Sequence, residues 1–155
     1  MPTLDLTISN IVTVDAERTF WDKIVILHGL RNWFDRRGVL RGGGQRVSRH
    51  YYDVYQLLAS GTGEAAMAEP ELGRDCVRHA RMFFNSPDLG LATGSPGTFA
   101  LTPAAPMIAD LRRDYTAMSG MIFGDAPAFD SMMESIDTFE TRLNATGDWP
   151  PVTGN

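Results

Sequence analysis

The sequence holds one cysteine, Cys76, and three histidines in 155 residues. A single thiol excludes an internal disulfide framework, and three scattered imidazoles give no zinc-binding pattern. A lone cysteine also fits a reducing compartment, so we expect the protein in the cytoplasm. Lysine is equally scarce, because Lys23 is the only one among the 14 basic residues. The sole lysine is therefore a place to ask whether an ammonium group is chemically required.

Long apolar runs are missing as well. No stretch approaches the roughly 20 apolar residues of a membrane span. The N-terminus reads Met-Pro-Thr-Leu-Asp-Leu-Thr and has neither the basic flank nor the apolar run of a signal peptide. We therefore predict no membrane association. Hydrophobic residues make up 43% and charged residues 21% of the chain, which fits one globular domain with a real core.

Positive charge is concentrated in one segment of an otherwise acidic chain. The net charge is −5, yet residues 31–50 contain six arginines against one acid, Asp35. A local anion site and a solvated, mobile basic loop around Gly42-Gly43-Gly44 are both compatible with this charge. The six arginines are Arg31, Arg36, Arg37, Arg41, Arg46 and Arg49.

Residues 3–14 show the pattern of a β-strand. Leu4, Leu6 and Ile8 alternate with polar residues before the sequence becomes mostly apolar. Residues 98–101 are a weaker candidate. A lone strand needs partners in a sheet, and an exposed edge invites pairing between chains. We therefore predict a symmetric homodimer through residues 3–14.

The rest of the chain predicts helices, so the fold class is mainly α (α+β). We expect one domain over residues 1–144, in which residues 3–14 are a residual strand and residues 15–144 a helical region, followed by a frayed tail at 145–155. The predicted helices span residues 16–32, 49–60, 71–84, 107–123 and 127–144.

Two charged side chains in the first two helices admit two interpretations each. Lys23 falls inside an apolar arc, so its ammonium either reaches past that face to solvent or points into a cleft. Asp53 follows Arg49 by one turn, and the pattern alone favours a surface ion pair between them. His28 also lies on the apolar face, where a hydrogen-bonded core histidine is the simpler interpretation.

Two motifs are more specific than these patterns. Residues 17–23 read ERTFWDK and are followed by Leu27-His28, while residues 48–55 read SRHYYDVY. Both resemble signatures of the AbiEii/AbiGii-type nucleotidyltransferase toxin family. The resemblance extends from about Ile8 to Asn144, because three later segments recur in the family's order. These segments are Pro96-Gly97-Thr98, Asp114-Tyr115 with Met118, and Met121-Ile122-Phe123-Gly124-Asp125.

The resemblance implies a polymerase-β-like nucleotidyltransferase fold, of which this chain looks like the helical C-terminal region. It implies a toxin with a cognate antitoxin that transfers a nucleotidyl group from an NTP to RNA, with tRNA as the acceptor in characterised relatives. It also implies Mg²⁺ as the cofactor. The matched positions make Lys23 and Asp53 catalytic, with Lys23 and Arg49 binding the NTP phosphates.

The sequence departs from the family at the metal-binding motif. The family carries a Gly-Ser pair followed by closely spaced aspartates, whereas Gly94-Ser95 is followed by no acid until Asp110. We therefore expect a transferase that is incomplete on its own and works with a separate N-terminal half. Two alternatives remain open: a non-catalytic module that binds the antitoxin or itself, and an RNA-binding domain built on the arginine-rich segment.

Overall fold

The computed structural model describes residues 2–44, 46–84, 86–120, 126–147 and 149, and within α1 it describes the side chains from residue 16 onward. The described residues form α-helices joined by short 3₁₀ turns and contain no β-strand. The mainly helical class is therefore confirmed. The helices are α1 (Pro2–Arg37), α2 (Ser48–Ala59), α3 (Thr62–Met67), α4 (Pro70–Phe83), α5 (Ala105–Ser119) and α6 (Phe129–Asn144). The 3₁₀ turns are Arg41–Gly44, Pro87–Leu89 and Leu91–Thr93.

The predicted strand at residues 3–14 is wrong, because this segment is the first third of α1, a helix of 36 residues. Leu4, Ile8, Ile11 and Val12 also recur at the i, i+4, i+7 and i+8 spacing of a helix, so the short alternation was ambiguous. Extending an existing helix adds one hydrogen bond for each residue fixed, without a new nucleus. The residual-sheet interpretation and the edge-strand argument for a homodimer are lost with the strand.

Residues 98–101 are not a strand either, because side chains of α6 satisfy the backbone of this segment. The Phe99 N–H donates to Asn144 Oδ1 over 3.2 Å, and Asn144 Nδ2 donates to the Phe99 carbonyl over 2.9 Å. The N–H groups of Leu101 and Thr102 both donate to the Glu140 carboxylate. The backbone of this segment is therefore satisfied without a partner strand.

The other predicted helices exist, with shifted ends. The helix predicted at 107–123 begins earlier, at Ala105, and ends at Ser119; residues 121–125 lie outside the described part of the chain. The pattern did not predict α3. Within the segment predicted as a tail, the ring of Trp149 packs edge-on against Trp21 at a centroid distance of 5.6 Å.

Helix α1 lies at the centre of the fold. It packs against α2 on one flank and against α3 and α4 on another, while α6 covers α2. Because α2, α3 and α4 all pack against α1, most of its middle turns are buried. Its buried apolar residues are Phe20, Trp21, Ile24, Val25, Leu27 and Leu30.

His28 is a core histidine that ties α1 to the segment after α4. Its Nε2 donates to the Gly90 carbonyl over 2.8 Å, and its Nδ1 accepts from the Ala100 N–H over 3.0 Å. This pattern requires the neutral ring, since protonation would set Nδ1–H against another donor. Burial accordingly lowers the pKa of His28 below its ordinary value of 6.5.

Acidification is expected to destabilise the fold through His28. Because the pKa of His28 is lower in the folded state, the unfolded chain binds the proton more readily. The contribution of His28 to the free energy of unfolding is therefore complete above pH 6.5 and decreases as the pH drops below that value. This one group removes up to about 1.4 kcal/mol per pH unit until its folded pKa is reached. Urea unfolding between pH 7.5 and 4.5 measures the slope, which His28→Gln should flatten. A slope in His28→Gln equal to that of the wild type contradicts the assignment.

No helix in the described ranges is both long and apolar enough to cross a membrane.

Candidate active site

The N-terminus of α2 is fixed by a carboxylate from α5. Asp114 Oδ2 accepts from the Ser48 N–H over 2.8 Å and from the Ser48 hydroxyl over 2.5 Å. Its Oδ1 accepts from the Arg46 N–H over 2.8 Å. A carboxylate here satisfies donors that the first turn of a helix leaves unpaired and complements the helix dipole. The helix begins at Ser48 itself, and Asp114 supplies the cap from another helix.

Lys23 and Asp53 meet at the interface of α1 and α2. The Lys23 ammonium lies 3.0 Å from Asp53 Oδ2, and the two side chains are 20% and 30% exposed. Lys23 therefore turns its charge toward α2, not past the apolar face to open solvent. Asp53 likewise departs from the simplest pattern, since its ion-pair partner is Lys23 and not the neighbouring Arg49. The geometry brings together Lys23 and Asp53, the two residues that the family motifs predict to be catalytic.

His50 is a second partner of the ammonium that the sequence analysis missed. Lys23 Nζ donates to His50 Nδ1 over 3.2 Å, so the imidazole accepts at Nδ1 and carries its proton at Nε2. Burial lowers the pKa of His50 below 6.5, and the adjacent Lys23 charge lowers it further. The neutral ring is thus the form that fits beside the ammonium. The available sequence signals were its place in the SRHYYDVY motif and its spacing three residues before Asp53.

Arg49 is not part of this contact. Its side chain is exposed on the first turn of α2, and none of the ion pairs among the described residues involves it. It lies one residue before His50 on the first turn of α2. Arg49 therefore stays a predicted phosphate ligand whose role depends on a bound substrate.

The described residues do not fit a magnesium site. Mg²⁺ in nucleotidyl transfer is held by carboxylates, but no group of three or more histidine, cysteine, aspartate or glutamate side chains in the described ranges is arranged to hold a metal. Asp53 is the carboxylate nearest the candidate site, and it is occupied by Lys23. We assign no metal ligand among the residues that the structure describes.

The arrangement can hold an anion. An ammonium carries three N–H bonds, and Asp53 and His50 are its polar partners among the described residues. Donor capacity is therefore left for a third acceptor, such as a phosphate oxygen. Because the side chain is partly shielded from water, such a contact is stronger than one made by a fully solvated lysine.

Comparison with known proteins gives one result. The family model described as "Nucleotidyl transferase AbiEii toxin, Type IV TA system" matches residues 2–144. The match includes both motif helices, the Lys23–Asp53 pair and the Asp114 cap. No curated protein and no solved structure matches the chain.

Proposed function

Because the chain belongs to the AbiEii nucleotidyl transferase toxin family, we propose that it takes part in transferring a nucleotidyl group from an NTP to RNA, with tRNA as the acceptor. One observation carries the proposal: the only lysine of the sequence is held between Asp53 and His50 at the junction of the two motif helices. Because the family is described as the toxin of a type IV toxin–antitoxin system, we also propose a cognate antitoxin as a partner of this chain.

Lys23 is the proposed ligand of the triphosphate. Nucleotidyl transfer breaks the bond between the α-phosphorus and the bridging oxygen, and negative charge builds on the departing pyrophosphate. A positioned ammonium stabilises this charge more in the transition state than in the ground state. Arg49 is proposed as a second phosphate contact, which reaches the substrate from the first turn of α2.

Asp53 and His50 are proposed to position Lys23. A lysine side chain has several rotatable bonds and about 2 kcal/mol of rotamer entropy, so holding it in place before the substrate arrives lowers the cost of binding. Asp53 fixes the ammonium by charge and His50 by a hydrogen-bond acceptor. A neutral His50 does this without repelling the ammonium.

The segment that binds the metal ions for the reaction is proposed to come from outside this sequence. The sequence has no Gly-Ser pair followed by closely spaced aspartates, and Mg²⁺ enters the proposal through the family resemblance alone. The full activity therefore requires a segment that carries this motif, and assays need to supply it.

Transfer is tested by mixing the chain with a family polypeptide that carries the Gly-Ser and aspartate motif. With each of the four α-³²P-labelled NTPs and total RNA in magnesium buffer, we expect the label to appear in tRNA. The surface variant Arg113→Ala, on α5, should label equally well because Arg113 is exposed and paired with Asp110. Absence of labelled RNA with all four nucleotides would contradict the proposed reaction.

A further inference from the structure

Helix α4 carries a row of arginines that the proposed reaction does not use. Arg74, Arg78 and Arg81 are spaced at i, i+4 and i+7, so they lie on one face of the helix. The arginine-rich segment at residues 31–50 is separate from this row. Three guanidinium groups on two turns of a helix are suited to binding a phosphate, because each presents several N–H donors in a fixed plane.

This face of α4 borders a cleft of about 440 Å³. The opposite wall comes from the 3₁₀ turn at Leu91–Thr93 and the residues after it, including Ser95, and from Trp149. The volume lies in the range of about 300–1,000 Å³ that is typical of small-molecule sites. Neither Lys23 nor Asp53 lines this cleft, so it is distinct from the candidate active site.

The cleft is positive in a chain whose net charge is negative. Its two lining acids are Glu71 and Asp75, and Asp75 is already engaged by Arg78 and by Arg18, which lies 3.2 Å away. The ion pair with Arg18 also anchors α4 to α1. Three arginines and two carboxylates line the cleft, which leaves a local excess of one positive charge against −5 for the whole chain.

Trp149 adds an aromatic wall beside the arginines. Its indole is held by edge contacts with Trp21 and with Phe99, at centroid distances of 5.6 and 5.5 Å. The ring lies close to α4 at Gly73, where an added Cβ would stand 3.0 Å from Trp149 Cζ2. Glycine at this position therefore lets the indole pack against α4, and Trp149 and Arg74 line the same cleft. A fixed aromatic ring beside guanidinium groups is the combination that binds a base and its phosphate.

We propose that this α4 cleft is a second nucleotide-binding site, which takes a nucleoside phosphate with its base against Trp149 and its phosphate on Arg74, Arg78 and Arg81. The ligand is either a free nucleotide or the nucleotide at a single-stranded RNA end, since both offer an aromatic base and an adjacent phosphate. The site goes beyond the proposed transfer reaction and does not depend on Lys23.

Binding is tested by fluorescence anisotropy with labelled ATP and with a labelled single-stranded adenosine dodecamer. Arg81→Glu should weaken binding more than tenfold, because it replaces a charge-assisted contact with repulsion. Trp149→Leu should weaken it roughly tenfold through lost stacking. The variant Arg113→Ala should bind as the wild type does, and circular dichroism should show that Arg81→Glu is folded.

The same experiment distinguishes a free nucleotide from an RNA end, and the α4 cleft from the Lys23 site. Tighter binding of ATP assigns the cleft to a free nucleotide, and tighter binding of the dodecamer assigns it to an RNA end. Lys23→Ala should leave the Arg81-dependent binding unchanged. Wild-type affinity for both probes in Arg81→Glu, or equal competition by inorganic triphosphate and ATP, would overturn the proposal. The second result would mean that the base is not recognised.

Discussion

Replacing Lys23 with alanine is expected to lower nucleotidyl transfer about 10²–10³-fold, the loss typical of removing one positioned donor to a developing negative charge. The reason is that Lys23 Nζ is held 3.0 Å from Asp53 and 3.2 Å from His50, so its charge is fixed before the substrate binds. The reconstituted assay with labelled NTP measures this loss as a lower initial rate.

Controls separate chemistry from folding at this position. Lys23→Arg keeps the charge but not the compact ammonium, so we expect partial activity. Asp53→Ala should lose nearly as much as Lys23→Ala, and the double variant should be no worse than either, because residues that act as a unit are not additive. Undiminished transfer by a folded Lys23→Ala would instead favour the non-catalytic interaction module.

Replacing Asp114 with alanine is expected to destabilise the fold by about 3 kcal/mol, because three donors at the start of α2 lose a charged acceptor. For a domain of this size the melting temperature should fall by roughly 10 °C. Transfer activity should fall as well, since the first turn of α2 carries Arg49 and His50. Thermal and urea unfolding measure the first effect.

Asp110 offers a matched control one turn earlier on α5. Its carboxylate is 52% exposed and pairs only with Arg113, at 3.1 Å, among the described residues. Asp110→Ala should therefore cost less than about 1 kcal/mol. Equal melting temperatures for the Asp110 and Asp114 variants would contradict the capping role of Asp114.

The helical part of the fold could be predicted where the apolar spacing was long and its ends were marked. Helix α4 begins at Pro70, one residue from its predicted start, because proline favours the first turn. Residues 3–14 failed because a 12-residue pattern fitted two periods and nothing in it marked a break from the helix that follows. In the structure this segment continues the following helix without a break.

The candidate site was predictable only in part. The family motifs identified Lys23 and Asp53, whereas the pattern alone favoured a surface pair between Asp53 and Arg49. The roles of His50 and Asp114 depend on contacts between distant segments: Asp114 meets Ser48 across 66 positions of sequence. Spacing along one helix carries no information about such partners.

Triphosphate binding at the Lys23 ammonium is the step on which the proposed reaction depends most, and one NMR experiment measures it. Because Lys23 is the only lysine, ¹⁵N-lysine labelling gives a single side-chain ammonium signal. We predict that inorganic triphosphate shifts this signal, at the same concentrations in wild type and in Arg81→Glu, and that Asp53→Ala weakens the response. If the protein is folded and the lysine signal does not move at triphosphate concentrations up to millimolar, triphosphate does not bind at Lys23 and the proposed role of this residue is contradicted.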